Sequence, residues 1–88
     1  MTPPAAMVAA ISALPEGTFH GAAFDRRYLV TRTLFNAGRS EKLVAEALDG
    51  SDYISLNLYH LAAGPALYPC EMPAEKVIAF VCALKVAP

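Results

Sequence analysis

The chain has 88 residues, of which 56% are hydrophobic and 17% charged, and its formal net charge is −1. This length predicts one domain, residues 1–88, and the near-neutral charge excludes a global field that would attract nucleic acid or an anionic membrane. Because so few charged residues leave apolar surface on a small globule, we expect a protein partner, most simply a second copy of the chain.

The N-terminal residues favour a helix. Thr2 is predicted to cap it, with Pro3 and Pro4 in the first turn, where proline is tolerated. Its apolar face is made of Met7, Val8, Ile11 and Leu14. The predicted helix covers residues 4–14 and is ended by Pro15 and Gly17.

Two strands are predicted in the next third of the chain. Residues 18–21 favour a short strand, although the sequence Gly-Ala-Ala at 21–23 indicates a bend equally well. Residues 27–35 are rich in β-branched and aromatic side chains, which predicts a strand. Residues 36–39, Asn-Ala-Gly-Arg, follow as a turn.

Residues 40–48 are ambiguous. Ser40 resembles a helix cap, and the Glu, Lys, Leu and Ala residues that follow favour a helix that Asp49-Gly50 would stop. Alternatively, Asp49-Gly50 supplies the two positive-φ residues of a two-residue hairpin turn, leading into residues 53–59, which alternate as a half-buried strand does. We predict the strand, because tertiary pairing commonly overrides propensity in short segments.

The predicted hairpin fixes a register in which Ala45 pairs with Ile54 and Leu43 with Leu56. Apart from Asp52 beside the turn, one face is entirely apolar and is predicted to belong to the core: Leu43, Ala45, Ala47, Ile54, Leu56 and Leu58. The opposite face must meet solvent or a partner: Val44, Glu46, Leu48, Tyr53, Ser55 and Asn57.

The last third of the chain predicts a strand at 52–61, a turn at 62–65, an extended piece at 66–69 and a helix at 73–85. Pro73 suits the first helical position and Lys85 the C-terminal end of the helix dipole. The apolar stripe of this helix is Val77, Ile78, Phe80, Val81 and Leu84. The predicted fold class is therefore α+β, a small antiparallel β-meander of three to five strands packed by the C-terminal helix and by the N-terminal one.

Two cysteines, Cys70 and Cys82, are too few for a disulfide framework. They are typical of reduced thiols, so the sequence predicts a cytoplasmic protein. The apolar N-terminus carries no Lys or Arg and contains two prolines, which is not the pattern of a signal peptide. No apolar run reaches the roughly 18 residues of a membrane span, so no membrane partner is expected.

The residues that bind metals or act as nucleophiles are scattered. None of His20, His60, Cys70 and Cys82 has another soft ligand within four positions, so we predict no metal site. We also predict no cofactor and no catalytic residue. Cys82, at the margin of the apolar helix stripe, is predicted to be a small core residue. Cys70, just before the C-terminal helix, is a candidate reactive thiol with His20 or His60 as its base. We favour instead a rigid strand-to-helix connection fixed by two prolines.

Five of the seven cationic residues lie within one segment: Arg26, Arg27, Arg32, Arg39 and Lys42. On adjacent strands Arg32 and Lys42 would lie near each other, and Tyr28 and Phe35 are interleaved as on a nucleic-acid-binding sheet. This cluster is the candidate binding site for nucleic acid or an anion. The interpretation that we favour is the solvated face of an amphipathic sheet, whose charges deter aggregation.

The sequence thus predicts a small non-enzymatic protein that acts through protein–protein interaction or self-association. Its interface would be a sheet face or a strand edge that no helix covers. Tyr and Met are enriched at interfaces, which suggests five contributors that could equally belong to the core: Met7, Tyr28, Tyr53, Tyr59 and Tyr68. Nucleic-acid or anion binding through the basic cluster is the first alternative, and a thiol-dependent enzyme at Cys70 is the second.

Overall fold

The computed structural model describes all residues from Met1 to Pro88 and consists of one six-stranded antiparallel sheet and two helices. The elements in chain order are α1 (Ala5–Ser12), β1 (Gly17–Ala23), β2 (Arg26–Phe35), a 3-10 turn (Asn36–Gly38), β3 (Ser40–Ala47), β4 (Tyr53–Leu61), β5 (Gly64–Pro69), α2 (Ala74–Ala83) and β6 (Lys85–Val86). The spatial order β5-β4-β3-β2-β1-β6 makes the first five strands a meander. The predicted α+β meander with two helices is confirmed, with one strand more than expected.

Helix α1 begins one residue later than predicted because Pro4 is its N-cap. Pro4 has an extended backbone, and its carbonyl accepts hydrogen bonds from the backbone N–H groups of Met7 and Val8. Thr2 is therefore not the cap, since proline at positions 3 and 4 keeps the preceding backbone extended. The helix contributes Met7 and Ile11 to the core.

The chain leaves helix α2 earlier than predicted and adds a sixth strand. Leu84 adopts an extended conformation, so Lys85 lies in β6 and not at the helix terminus where the sequence pattern placed it. Strand β6 pairs with β1 at Gly21, where a Cβ atom would lie 2.7 Å from Leu84 Cδ1 and 3.1 Å from the Lys85 carbonyl oxygen. The bend considered at residues 21–23 is therefore a strand, in which glycine permits this close approach.

The ambiguous segment is strand β3, as predicted. It pairs with β2 on one side and β4 on the other, and the predicted partners Ala45–Ile54 and Leu43–Leu56 are found. The six side chains predicted for the core face are all buried. Two hydrogen-bonded neighbours and a buried apolar face outweigh the helix propensity of the isolated segment.

The connection between β3 and β4 differs from the predicted two-residue turn. Only Gly50 has a positive φ, 76°, and its N–H donates a 2.9 Å hydrogen bond to the Ala47 carbonyl. The Asp49 carboxylate accepts a 2.9 Å hydrogen bond from the Ser51 N–H. The ladder closes where the Ala47 N–H donates to the Asp52 carbonyl at 2.9 Å, which leaves a four-residue loop at 48–51. The strand register is nevertheless the predicted one, because the loop extends beyond the predicted two-residue turn by one residue at each end.

The turn with two residues at positive φ joins β1 to β2 instead. Phe24 has a φ of 52° and Asp25 a φ of 61°, between the paired residues Ala23 and Arg26. Asp tolerates this left-handed conformation, whereas Phe does so at a cost. The sequence alone gave no signal for a turn of this type at Phe24.

Both helices cover the same face of the sheet. Met7 and Ile11 of α1 and Val77 and Phe80 of α2 belong to one cluster of 16 buried hydrophobic residues with the inward side chains of the strands. The Phe80 ring meets the Tyr28 ring edge-on at 4.8 Å. Neither helix is long and apolar enough to cross a bilayer. The other face of the sheet has no covering element, and we call it the open face.

Candidate interaction surface

The open face collects most of the exposed apolar side chains of the protein. Ten large hydrophobic side chains are exposed, and the strand registers place seven of them on or beside this face. These seven are Leu29, Phe35, Leu48, Tyr53, Tyr59, Leu61 and Tyr68. They form two groups at opposite ends of the face: Leu29, Leu48 and Tyr53 at one end, and Phe35, Tyr59, Leu61 and Tyr68 at the other. Exposed apolar groups of this kind are typical of an interaction site.

The strand ladders align the open-face residues into rows that cross the sheet. The central row contains Thr18, Thr31, Val44 and Ser55. The row on one side of it contains His20, Leu29, Glu46 and Tyr53. The row on the other side contains Thr33, Lys42, Asn57 and Tyr68. The central row thus consists of small side chains only, and the larger ones flank it.

An aromatic corner lies at one end of the open face. The rings of Tyr59 and Tyr68 are 5.5 Å apart and meet edge-on, and with Leu61 they line a shallow concavity. Phe35 and Tyr59 lie in the same row, with Ser40 between them. The corner therefore presents apolar surface in a form that another polypeptide can contact.

The edge of the sheet at β5 is closed to strand addition. The N–H and carbonyl of Leu67 point outward, and both bond to Met1, at 2.7 and 3.0 Å. The two other outward positions are Pro65 and Pro69, which have no N–H to donate. At the opposite edge, the two-residue strand β6 pairs with β1 at Gly21 and Ala22, and the Ala87 N–H donates a 2.9 Å bond to the His20 carbonyl, while residues 17–19 of β1 have no strand on that side. Of the two predicted interface types, the open face offers the larger accessible surface.

The sheet separates the predicted basic cluster between its two faces. Arg32 lies on the covered face, where its Nε donates to Glu41 at 2.8 Å and its guanidinium donates to the Leu14 carbonyl at 2.7 Å. Lys42 pairs with Thr33, which follows Arg32 in β2. Because successive residues of a strand point to opposite faces, Lys42 lies on the open face. The two cations that were expected to lie together therefore point to opposite sides of the sheet.

The other three arginines also differ in their surroundings. Arg26 lies 3.6 Å from the Asp52 carboxylate. Arg39 follows the 3-10 turn, where its side chain donates to the Asn36 carbonyl at 3.3 Å. Arg27 is exposed on the open face and forms no salt bridge within the chain. Arg27 and Lys42 are thus the members of the predicted cluster that the open face presents.

A buried acid on the covered face was missed by the sequence reasoning. The Glu41 side chain is only 2% exposed and lies between Arg32 and His60, whose Nε2 is 2.7 Å from the Glu41 carboxylate. The alternation of β3 placed Glu41 on the same face as Leu43, so the signal was present in the sequence. The Glu41 carboxylate can orient the His60 ring. The His60 ring forms no hydrogen bond with the Ser40 hydroxyl, which accepts one from Asn36 at 3.3 Å.

A second acid, Asp52, ties helix α2 to the sheet. Tyr28 donates its hydroxyl to Asp52 at 2.7 Å, and Lys76 of α2 lies 2.8 Å from the same carboxylate. Burial alone would raise the pKa of Asp52, but the hydrogen bonds from Lys76 and Tyr28 outweigh it and hold this pKa below its ordinary value. Burial, together with the bond to Asp52, raises the pKa of Tyr28.

The five predicted interface residues fall into two groups. Met7 and Tyr28 are fully buried and belong to the core. Tyr53, Tyr59 and Tyr68 are exposed on the open face. Met7 is on the buried side of helix α1, and the alternation of the strands separates Tyr28 from the three exposed tyrosines.

Cys70 lies in the connection between β5 and α2, as predicted. Its N–H donates to the Ser55 carbonyl at 3.0 Å, and Asn57 Nδ2 lies 3.5 Å from its sulfur. Neither His20 nor His60 is hydrogen-bonded to it, and none of the surface concavities includes it. The base and the pocket that a thiol enzyme requires are thus not assembled around Cys70.

Cys82 is exposed on α2 and is not the core residue that the sequence predicted. The buried side of the helix is made of Val77, Phe80 and Val81, and position 82 falls just beyond this stripe. No group of three or more His, Cys, Asp or Glu side chains has the arrangement of a metal site.

Comparison with protein-family models, with curated proteins and with solved structures finds no match.

Proposed function

We propose that this is a non-enzymatic protein that acts through protein–protein contact, and that it self-associates through the open face. The observation that carries the proposal is the grouping of seven exposed apolar side chains on the face that neither helix covers. Covering these side chains would remove apolar surface from water, which is the main driving force of association. The closed β5 edge supports a contact that uses the face and not strand addition at that edge.

The size of the face suits a stable contact. The protein extends 38 Å and 24 Å along its two longest axes. A rectangle of these dimensions measures roughly 900 Å² and bounds the projected area of the open face; a standard interface buries about 800 Å² per partner. Aromatic residues at several positions of the face fit the composition of interface centres.

Sedimentation of two matched variants tests the proposal. We expect the wild-type protein to sediment as a species larger than its 9.4 kDa chain at micromolar concentration. Tyr53→Ser on the open face should shift the equilibrium toward monomer, whereas Phe24→Ser, which removes an even more exposed ring from the β1–β2 turn, should not. A wild-type chain that stays monomeric at several hundred micromolar would overturn the proposal.

A second candidate function is nucleic-acid or anion binding. On the open face Lys42 lies one row from the exposed Phe35 ring, and cations beside aromatic rings are what single strands bind, whereas Arg27 lies at the other end of β2. Against it stand the ion pairs of Arg26 and Arg32, which occupy two of the five cations. Binding to single-stranded RNA and DNA at low and high salt decides, because phosphate contacts are strongest at low salt. No binding at low salt eliminates this function.

The thiol-dependent enzyme is the remaining alternative. We propose that Cys70 has a structural role in the β5–α2 connection and that its thiol stays reduced in the cytoplasm, as two unpaired cysteines suggest. The rate of Cys70 alkylation, measured against pH in a Cys82→Ser background, should follow an ordinary thiol profile. A reactive thiolate well below pH 7 would instead support the enzyme.

A further inference from the structure

We propose that the occupant of the open face is a second copy of this chain in a defined two-fold arrangement, an inference that rests on the proposed self-association. In this arrangement the two sheets stack face to face, with the β3 strands antiparallel over each other. The two-fold axis lies between the sheets, perpendicular to the strands, along the central row that contains Val44. Such an isologous contact requires a self-complementary face.

The charges of β3 are self-complementary about Val44. Lys42 and Glu46 lie two positions before and two after Val44, all three on the open face, and neither charged group has an ion-pair partner within the chain. Each lies about 7 Å from Val44 along the strand, given the rise of a β-strand. The two-fold axis therefore places Lys42 of each copy over Glu46 of the second copy, so both unpaired charges gain a partner.

The side-chain sizes are complementary in the same arrangement. The axis runs over the row of small residues, so each of these faces its own copy. Thr31 and Val44 are half-buried and Ser55 is buried, so the larger side chains that flank the row make the closest contacts. On β2, the axis places Leu29 over Thr33 of the second copy. On β4, it places Tyr53 over Asn57 of the second copy. Large side chains thus meet small or short polar ones, which is how packed layers interdigitate.

One further pair supports this axis. Four positions on either side of Thr31, the axis would place the Arg27 guanidinium over the Phe35 ring of the second copy. A guanidinium placed over an aromatic ring can form a cation–π contact. Stacked sheets cross at an angle of about 30°, which displaces distant pairs more than those near the crossing point. Lys42 and Glu46 are on β3, in the middle of the sheet, where the displacement is smallest.

The charges of Lys42 and Glu46 disfavour the alternative face-to-face arrangement, in which the two-fold axis is parallel to β3. A two-fold axis parallel to β3 would place Lys42 over Lys42 of the second copy and Glu46 over Glu46. Like charges directly opposed are destabilising, and they would be brought together twice in each dimer. The same two residues thus favour one orientation and disfavour the other, which makes them the specificity determinants of the contact.

Charge exchange on β3 tests the arrangement. We expect Lys42→Glu and Glu46→Lys each to raise the dimer Kd about tenfold or more, because each creates two like-charge contacts per dimer. An equimolar mixture of the two variants should associate again, since an acidic face then meets a basic one. The double variant K42E/E46K should also dimerise, with a Kd within about threefold of wild type. Analytical ultracentrifugation reads out all four samples.

Glu75→Lys, at the start of α2 on the covered side, is the matched charge-reversal control and should leave the dimer Kd unchanged. Circular dichroism and the Tm of each variant separate lost association from lost folding. If the wild type dimerises but neither single variant weakens it, the arrangement is overturned while self-association stands. If the single variants weaken the dimer but the mixture does not recover, the Lys42–Glu46 pairing is overturned. A monomeric wild type overturns the proposed function itself.

Discussion

The two faces of the sheet differ in whether their charged and apolar residues have partners within the chain. On the covered face, Leu43, Leu56 and Leu58 are fully buried, and the one buried acid, Glu41, has two partners. On the open face, exposed rings lie beside Glu46 and other charges without ion-pair partners in the chain. The charged and apolar groups of the covered face thus have partners within the chain, whereas the open face leaves apolar surface and charges in contact with solvent.

The largest expected effect compares two glutamates of the same strand on opposite faces. Glu41→Ala leaves Arg32, whose side chain is 11% exposed, without its carboxylate. A buried charge that loses its partner costs about 3–5 kcal/mol of unfolding free energy. Glu46→Ala on the open face should change this free energy by no more than about 0.5 kcal/mol. Urea unfolding at pH 7 measures both, and equal effects would contradict the difference between the faces.

Leucines give a similar comparison. Leu56→Ala on the covered face should reduce the unfolding free energy by about 2–5 kcal/mol, because it removes apolar contacts and leaves a cavity. Leu29 is 42% exposed on the open face. Leu29→Ala should therefore change the unfolding free energy of the monomer only slightly, but the dimer of this variant should dissociate more readily. Urea unfolding at low micromolar concentration, paired with sedimentation, separates the two effects. A Leu29→Ala variant that unfolds easily but associates normally would place Leu29 in the core.

The pH dependence of stability tests the covered face at Asp52 and Tyr28. The lowered pKa of Asp52 means that its contribution is present above the ordinary value of 3.8 and is lost as pH falls through the folded-state pKa. The raised pKa of Tyr28 means that its contribution is present below the ordinary value of 10.0 and is lost as pH rises through the folded-state pKa.

We therefore expect Asp52→Asn to be less stable than wild type at pH 6, with a difference that shrinks below pH 3.8. Tyr28→Phe, which keeps the ring that meets Phe80, should show its own difference shrinking above pH 10.0. Thermal unfolding of wild type and the two variants from pH 2 to 11 measures both. A difference from wild type that stays constant across this range would rule out the proposed roles of the two groups.

The smallest expected effect lies outside both faces. Phe24 has a positive φ in the β1–β2 turn, so Phe24→Gly should raise the unfolding free energy by about 1 kcal/mol by relieving the backbone strain. Phe24→Ala removes the same exposed ring but keeps the Cβ atom, and should bring no such gain. Neither variant should change the sedimentation of the protein. A gain for both would indicate that the ring, and not the backbone, is unfavourable.

The alternation of β3 and β4 was readable from the sequence, and with it the pairing of Leu43 with Leu56 and of Ala45 with Ile54. Tyr53 and Asn57 were correctly assigned away from the core for the same reason. The exposure of Tyr59 and Tyr68 was left open, because residue type alone does not distinguish a core tyrosine from a surface one. The sequence groups Arg32 with Lys42, and only the pairing of β2 with β3, in which Arg32 lies opposite Leu43, assigns the two cations to different faces.

The sequence by itself determined the local features of this protein: helix-favouring ends, alternating strands and a hairpin register that sorts side chains by face. Their physical basis is short-range, in the β-strand repeat of two residues and in proline geometry. Tertiary structure decided which face the helices cover, that Met1 closes the β5 edge, that β6 pairs with part of β1 and that Glu41 joins Arg32 to His60. These contacts unite residues far apart in the chain, and no local pattern encodes them. The open face follows from both: alternation gathers its residues, and the placement of the helices leaves them uncovered.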